Sequence, residues 1–270
     1  TQIKKGLKIC INKDNLKSFK FLLNKWYNLD DNYKRDEKKL LDLIVKQNGI
    51  QILDYLFKNG LDIHIKDEAA FIKASKNGHL EVVKYLVENG ANINAQIDKA
   101  LRNASRNGHL KVVKFLVENG ANINARYIYA LRWASVNGHL EVVKLLIEKC
   151  TNINTRDRAL RWASINGNYE VVKLLIENGT NVNANNNYSL NWASCKGHLD
   201  IVKLLIENGA NINAYGNHAL KWASKNGHLE IVKLLTENGK NINACNIALR
   251  WASMNEHLKI VEVLESYMKI

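Results

Sequence analysis

A motif of about 30 residues recurs along most of this chain, and its period constrains the fold more than any other feature of the sequence. The string Asn-Gly-His-Leu-Glu-Val-Val-Lys first appears at Asn77. Variants of it begin at Asn107, Asn137, Asn166, Lys196, Asn226 and Asn255. A unit this short cannot bury its own apolar side chains, so neighbouring copies must stack to form a shared core. The chain is therefore predicted to fold as a solenoid.

One copy illustrates the two helices that each unit is expected to contain. In the first helix, Leu131, Ala134 and Ser135 have the i, i+3, i+4 spacing that is typical of a buried helical face. Gly138 then favours the left-handed conformation that ends helices. Apolar residues across 140–147 predict a second, longer helix. The sequence thus predicts an all-α fold of about nine helix-turn-helix units, with two degenerate copies in the N-terminal region.

The copies differ in regularity along the chain, and this difference predicts three regions of one continuous solenoid. Residues 1–67 hold degenerate N-terminal repeats, and residues 68–247 hold the regular ones. Residues 248–270 are expected to form a C-terminal capping repeat, because Glu256 replaces the usual turn glycine and Glu262 replaces the usual lysine. Terminal repeats of a solenoid are commonly atypical in this way.

The repeated sequence resembles the ankyrin repeat over roughly residues 6–270. The residues that carry the resemblance are Gly-His-Leu-Glu-Val-Val-Lys-Leu-Leu from Gly138 and Gly-Ala-Asn-Ile-Asn-Ala from Gly120. Two departures are consistent: the family's Thr-Pro-Leu-His opening is Ala-Leu-Arg-Trp here, and the period is shorter than that of the family by about three residues. The missing residues fall in the exit loop, so the projecting β-hairpin of the family is expected to shrink to a short turn. The Asn-rich repeat sequence, which contains no proline, also resembles the ankyrin families of giant, mimivirus-like DNA viruses.

Neither metal binding nor catalysis is expected. The recurrent turn histidines lie one full repeat apart, whereas zinc ligands must converge to about 2.1 Å from one ion. They are therefore interpreted as structural residues. The sequence also has no phosphate-binding glycine loop and no His-Glu-x-x-His motif, and every Ser and His belongs to the repeat. We therefore predict a protein that is not an enzyme and has no catalytic, cofactor-binding or metal-binding residues.

The first helix carries the more unusual pattern of charge. Lysines of the second helix each have a glutamate four residues later, which predicts a solvated, salt-bridged face. Basic residues of the first helix have no systematic acidic partners at that spacing, and a tryptophan follows most of them. This basic ladder is broken at Asn191. Its residues are Arg102, Arg132, Arg161, Lys221 and Arg250, and the accompanying tryptophans are Trp133, Trp162, Trp192, Trp222 and Trp251.

Two environments are open for these tryptophans. They can pack between adjacent copies, or they can line the concave surface on which ankyrin proteins generally hold partners. Trp and Arg are typical anchors of binding hot spots. Variable residues before the turns and in the exit loops are either adaptable recognition residues or the product of neutral drift. The candidate partner-binding set comprises the basic ladder and its accompanying tryptophans, together with Arg106, Tyr127, Tyr129, Tyr188 and Tyr215.

Composition narrows the setting and the partner. Lys and Arg outnumber Asp and Glu by 39 to 26, for a net charge of +13, which favours acidic partners. Four scattered cysteines with no C-x-x-C pair predict neither a disulfide framework nor a zinc site, and indicate a reducing, intracellular compartment. That compartment is the cytoplasm or nucleus, or the host cytoplasm for a viral protein. No stretch approaches the roughly 20 apolar residues of a membrane-spanning helix.

The predicted function is a monomeric, non-enzymatic scaffold that binds another protein on its first-helix face and exit loops. The alternative is a binder of nucleic acid or another polyanion, which would use the basic ladder and the basic N-terminal region. Residues 1–60 contain 13 Lys and Arg against 7 Asp and Glu. The two hypotheses differ in salt dependence, because each phosphate contact steepens the loss of affinity with salt.

Overall fold

The computed structural model is entirely helical in the residues that it describes, which are 2–27, 33–123, 129–150, 152–239 and 241–269. Within these residues, 18 helices form nine consecutive pairs, with odd numbers for the first helix of each pair and even numbers for the second. The predicted all-α fold class is confirmed. The helices are α1 (Gln2–Asn12), α2 (Leu16–Tyr27), α3 (Tyr33–Lys46), α4 (Ile50–Lys58), α5 (Ile65–Asn77), α6 (Leu80–Glu88), α7 (Ala95–Arg106), α8 (Leu110–Glu118), α9 (Tyr129–Val136), α10 (Leu140–Lys149), α11 (Ile153–Asn166), α12 (Tyr169–Glu177), α13 (Ala184–Lys196), α14 (Leu199–Glu207), α15 (Ala214–Lys225), α16 (Leu229–Gly239), α17 (Ile242–Met254) and α18 (Leu258–Met268).

The chain divides into two compact units, Thr1–Ala130 and Leu131–Ile270. Within each unit, first helices pack against their own second helix and against the first helix of the next pair. The second helices form a row of their own. Within each unit, helix pairs therefore contact their neighbours in sequence, which is the packing pattern of a repeat solenoid.

The buried side chains repeat with the sequence. In a typical pair, Leu160 and Ala163 of the first helix are fully buried, as are Val171, Val172 and Leu175 of the second. The small alanine lets neighbouring first helices approach closely, while the larger Val and Leu side chains fill the space between the two rows of helices. Burying one such Val or Leu contributes about 1.5–3 kcal/mol, so the stack is stabilised by contacts that no single pair could make alone.

Within each unit, turn histidines connect helix pairs to the pairs before them. The Nε2 of His198 donates a hydrogen bond of 3.1 Å to the carbonyl oxygen of Ile165, near the end of the preceding first helix. Where Asn168 takes the place of histidine, its Nδ2 donates to two carbonyl oxygens at the end of α9. These residues satisfy carbonyl groups that have no partner within their own helix, so the structural interpretation of the histidines is confirmed. The same contact, at 2.9–3.1 Å, is made by His79, His109, His228 and His257.

A different device connects the first two pairs. Gly49 stands at the histidine position of the α3–α4 turn, and Asp14 of the preceding turn occupies the space beside it. The carboxylate of Asp14 accepts hydrogen bonds of 3.2 and 3.3 Å from the backbone N–H groups of Gln51 and Ile52. It therefore caps the N-terminal end of α4, where a negative charge is favoured.

The start of the first helix depends on the length of the repeat. In the copy that contains α13, Asn185, Asn186 and Asn187 adopt a left-handed conformation near the helix start, with φ between 51° and 59°. Asparagine is one of the few residues besides glycine that adopt this conformation routinely. In two copies that are one residue shorter, Asn152 and Asn241 instead cap the helix directly, each accepting a backbone N–H with its side chain. Both kinds of start are short, as the period predicts, and the described residues contain no β-hairpin.

A buried polar side chain near the start of the first helix accepts a hydrogen bond from the backbone 24 residues later. The donor-to-acceptor distances are 2.8 Å from Asn122 to Asp98 and 3.1 Å from Asn181 to Asp157. Asn187 does the same with a neutral amide, at 3.2 Å. Burial raises the pKa of Asp98 and of Asp157, and the backbone hydrogen bond only partly opposes it.

We expect Asp157→Asn to increase the free energy of unfolding at pH 7. Because its pKa is raised, the ionised carboxyl is less favourable in the folded chain than in the unfolded one. Its cost falls as the pH drops through the folded pKa towards the ordinary Asp value of about 3.9. Urea unfolding at pH 7 and pH 4.5 measures the effect, which should be larger at pH 7. A variant less stable than the parent at pH 7 would show that the charge stabilises the turn.

The charges of the second helices pair in a different direction from the one predicted. The Nζ of Lys84 lies 3.0 Å from a carboxylate oxygen of Glu81, which is three residues earlier rather than four residues later. The predicted spacing occurs at Lys114, whose Nζ lies 3.9 Å from Glu118. Lys111 stands where the nearer glutamate would be in that copy, so Lys114 turns to the later one. The expectation of a solvated, salt-bridged face holds for these pairs.

Candidate partner-binding face

The predicted partner-binding residues that the structure describes lie on the first helices and are unequally exposed. Arg106, Tyr188, Trp192, Tyr215 and Arg250 are exposed. Tyr127 lies outside the described residues. The half-buried ones are Arg102, Tyr129, Arg132, Trp133, Arg161, Trp162, Lys221, Trp222 and Trp251.

In the unit Leu131–Ile270, arginines of the ladder lie over an aromatic ring of the following repeat. The Cζ of Arg132 is 4.1 Å from the ring centroid of Trp162. The Cζ of Arg161 is 5.6 Å from the ring of Tyr188 and 5.0 Å from that of Trp162. A cation over the face of an aromatic ring is attracted by about 0.5–1 kcal/mol at an exposed site. These contacts therefore hold the guanidinium groups and the rings in one continuous row.

Lysines make the same contacts at the other end of this unit. The Nζ of Lys221 lies 4.9 Å from the ring centroid of Trp251. The Nζ of Lys225 lies 4.9 Å from Trp222 and 4.8 Å from Trp251. We use the term "aromatic-basic face" for the set Arg132, Trp133, Arg161, Trp162, Tyr188, Trp192, Tyr215, Lys221, Trp222, Lys225 and Trp251.

The tryptophans combine the two environments that the sequence left open. Trp133, Trp162, Trp222 and Trp251 are half-buried, and Trp192 is 38% exposed. Each ring thus has one part packed in the stack and another part at the surface. The face can stabilise the fold and still offer apolar area to a partner.

Trp162→Ala is expected to lower the free energy of unfolding by about 1–2 kcal/mol, less than the roughly 3–5 kcal/mol typical of truncating a fully buried Trp. The loss arises from the half-buried ring and from its contact with Arg132. Urea unfolding followed by circular dichroism measures it, with Trp192→Ala as the more exposed comparison. A loss above about 3 kcal/mol would mean that the ring serves packing alone.

The break in the basic ladder has a structural consequence. Asn191 stands where the neighbouring repeats have Arg161 and Lys221, and its short side chain cannot reach the next repeat. Its Nδ2 instead donates a hydrogen bond of 3.2 Å to the carbonyl oxygen of Asn186. Asn191 therefore supplies no cation to the following repeat, and the ring of Trp222 is contacted instead by Lys221 and Lys225 of its own helix.

A pocket of about 240 Å³ occupies this position. The ring of Tyr215 meets that of His218 edge-on, with centroids 4.6 Å apart. Tyr188 is 41% exposed and Tyr215 is 60% exposed, so the pocket is open to the surface. It is lined by Asn186, Tyr188, Asn191, Trp192, Cys195, Tyr215, His218 and Trp222.

The electrostatic environment of the face is positive. Burial lowers the pKa of Arg161, and so does the nearby charge of Arg132. Burial and the charge of Lys221 lower the pKa of His218, so protonation of this imidazole is disfavoured. The helices α9, α11, α13, α15 and α17 contain a single acidic residue, Asp157, and it is buried. The face therefore presents positive charge with no exposed carboxylate on the same helices.

The unit Thr1–Ala130 has a smaller version of this arrangement. The Cζ of Arg102 lies 5.5 Å from the ring of Tyr129, and its Nη2 donates a hydrogen bond of 3.1 Å to the carbonyl oxygen of Gln96. Arg106 lies on the same helix and is exposed. In the other unit, Arg250 is likewise exposed, on α17.

The sequence placed three further residues of this face among the variable positions but not in the candidate partner-binding set. Asn186 and His218 line the pocket, and Lys225 covers two tryptophans. His218 does not belong to the turn histidines, so its position before the first-helix core was a signal that could have identified it. Lys225 lies one turn of helix after Lys221, and this spacing places both on one face.

The described residues give no indication of a metal centre, since they contain no group of three or more His, Cys, Asp or Glu side chains that could hold an ion. All four cysteines are free thiols, and Cys195 is half-buried while the other three are buried. Within the same residues, no helix is both long enough and apolar enough to cross a membrane.

Comparison with known proteins identifies related sequences and structures. A family model described as ankyrin repeats, in three copies, matches residues 41–127, 104–186, 160–246 and 190–269. The crystal structure of the human ASB11 ankyrin repeat domain is similar, with a TM-score of 0.65 and 25% sequence identity over 72% of this chain and 96% of that one. A comparison with curated protein sequences found no significant match.

Proposed function

This chain belongs to the ankyrin repeat family, and from that premise we propose that it is a scaffold without catalytic activity that binds another protein on its aromatic-basic face. Ankyrin repeats generally mediate protein–protein interactions, and the family is typically non-enzymatic. The proposed surface is the first helices of the unit Leu131–Ile270, including Tyr188 and Tyr215, which the sequence assigned to exit loops and which lie near the starts of α13 and α15.

One observation carries this proposal, the row of partly exposed aromatic rings and cations that follows the first helices and is interrupted at Asn191. Large aromatic side chains and arginines contribute most of the energy at protein interfaces. The cation–π contacts fix their positions before a partner arrives, for example at Arg132 over Trp162 and Lys221 over Trp251. Fewer side chains then lose conformational freedom on binding, so more of the contact energy appears as affinity.

The setting of this scaffold is also a proposal. Four free thiols with no disulfide among them favour a reducing, intracellular compartment. We expect a monomer, which light scattering during gel filtration would distinguish from a dimer. The proposal of a viral source rests on the Asn-rich, proline-free repeat sequence alone.

A polyanion is the second candidate partner, and the lack of exposed acids on the first helices favours it. A row of phosphates, however, matches only the charge of this face and leaves the exposed rings of Trp192 and Tyr215 without an apolar contact. A protein partner uses the exposed apolar area as well as the charge. The observations therefore favour protein, and nucleic acid becomes an outcome of the test.

The experiment selects binding peptides from a random displayed library and measures their affinity for two double variants. Arg132→Glu with Arg161→Glu alters the aromatic-basic face. Lys173→Glu with Lys203→Glu makes the same change in net charge on exposed second-helix positions. We expect the first double variant to weaken binding at least about tenfold, as loss of hot-spot residues does, and the second to have little effect.

Equal losses in both double variants would mean that net charge alone attracts the peptides, and no loss in either would place the binding surface elsewhere. A short DNA duplex is measured in parallel at low and physiological salt. DNA that binds more tightly than the peptides at physiological salt, and loses affinity in the face variant, would replace protein by nucleic acid as the partner.

A further inference from the structure

The pocket beside Asn191 is a gap in an otherwise regular ladder. At the other positions of the unit Leu131–Ile270, Arg132, Arg161 and Lys221 each extend over an aromatic ring of the following repeat. Asn191 turns back to the carbonyl oxygen of Asn186 instead. The pocket that this short side chain leaves is therefore open to a side chain from another molecule.

The walls of the gap are mainly aromatic. Tyr188, Trp192, Tyr215 and Trp222 surround a space of about 240 Å³. This volume is below the range of about 300–1,000 Å³ that is typical of pockets for whole small molecules. A single large apolar side chain fits both the size and the lining.

The flanks of the gap are basic. Arg161 lies over Tyr188 on one side, and Lys225 lies over Trp222 on the other. The helices that form the gap, α13 and α15, contain no acidic residue. A segment crossing the gap would place its neighbouring residues close to positive charge on both sides, and carboxylates at those positions are favoured by charge complementarity.

An aromatic-lined gap could also take a cation from a partner, as a substitute for the missing arginine. The electrostatic environment opposes this. His218, in the wall of the pocket, has its pKa lowered by burial and by the charge of Lys221. The same burial and positive charge also disfavour the binding of an arginine or lysine from a partner.

We propose that the gap at Asn191 holds one large apolar side chain of an acidic segment in the partner protein, with carboxylates on either side of that side chain contacting Arg161 and Lys225. This inference rests on the proposed function, because it names the chemistry of the partner for the same face. The large apolar side chain of the partner would then bind at a single position, between the repeats that contain α13 and α15.

The test compares peptide probes and two variants of one residue. The probes are acetyl-Glu-Glu-Phe-Glu-Glu-amide, its Phe→Ala counterpart, and the peptide in which the four glutamates are lysines. Asn191→Arg restores the ladder residue that Arg161 supplies in the preceding repeat and fills the gap. Asn191→Ala removes the amide but leaves the gap open. Binding is followed by NMR from the indole N–H signals of Trp192 and Trp222.

We expect the Glu-Phe peptide to shift both indole signals and to bind at least about tenfold more tightly than either other peptide. Asn191→Arg should abolish these shifts although it adds a positive charge, so that a loss cannot be attributed to weaker electrostatic attraction. Asn191→Ala should retain them. A properly folded Asn191→Arg variant, judged by circular dichroism and thermal unfolding, completes the comparison.

Three results would overturn the inference. They are equal or tighter binding of the lysine peptide, unchanged binding to Asn191→Arg, and no shift of either indole up to the solubility limit of the Glu-Phe peptide. None of these depends on the double variants of Arg132 and Arg161. The aromatic-basic face can therefore bind a protein without using the pocket. A negative result for the pocket at Asn191 is thus distinguishable from a negative result for protein binding by the whole face.

Discussion

Leu205→Ala is expected to lower the free energy of unfolding by about 3 kcal/mol, within the roughly 2–5 kcal/mol typical of fully buried leucines. Leu205 is fully buried on α14, between the two rows of helices. Its removal loses apolar burial and leaves a cavity that the stacked helices can close only in part. Urea unfolding followed by circular dichroism measures the loss.

Leu204→Ala is the matched control, since Leu204 is the preceding residue of the same helix and is half-buried. Its substitution should cost about 1 kcal/mol, because less apolar surface returns to water. Equal losses for the two variants would mean that the space between the rows of helices is not the core of this unit.

His198→Ala is expected to cost about 2 kcal/mol, from one lost hydrogen bond of roughly 1 kcal/mol, an unpaired helix carbonyl and lost packing. The Nε2 of His198 donates to Ile165, and its ring lies over Gly167, where an added Cβ would come within 2.8 Å of it. The comparison is His198→Asn, which copies the arrangement of Asn168 in the preceding repeat. Thermal and urea unfolding of both variants measure the effect.

The asparagine variant should recover most of the stability that the alanine variant loses. If both are equally destabilised, the imidazole acts through its shape rather than through its hydrogen bond. If neither variant is destabilised, the hydrogen bond from His198 to the end of α11 contributes nothing to the free energy of unfolding.

The helix pairs could be predicted from the sequence because the same constraint is repeated. A short period forces each copy to use its neighbours, and apolar spacing such as Leu131 to Ala134 identifies the buried side. The role of the turn histidines followed from the same repetition, since ligands separated by a full repeat cannot share one ion.

Contacts between copies could not be read from one copy alone. Asp14 caps α4 because Gly49 replaces the turn histidine there and leaves room for the carboxylate. Lys84 can reach either Glu81, three residues earlier, or Glu88, four residues later, because both spacings bring side chains together on a helix. The side-chain rotamers select Glu81.

The candidate site was predictable in part for the same reason. Residues at one repeat position, such as Arg132 and Arg161, had to lie on the same side of successive first helices. The pocket at Asn191 was visible only as a break in the ladder, because its walls come from α13 and α15 together. Sequence spacing gives no measure of the space that a short side chain leaves behind.

The most direct test of the central claim is hydroxyl-radical footprinting of the chain with and without a library-selected peptide. The account predicts reduced oxidation of Trp162, Trp192 and Tyr215 in the complex. Tyr169, which is exposed at the start of a second helix, should be oxidised equally in both states. Protection of Tyr169 with unchanged oxidation of the three face residues would place the partner on the second helices and contradict the account.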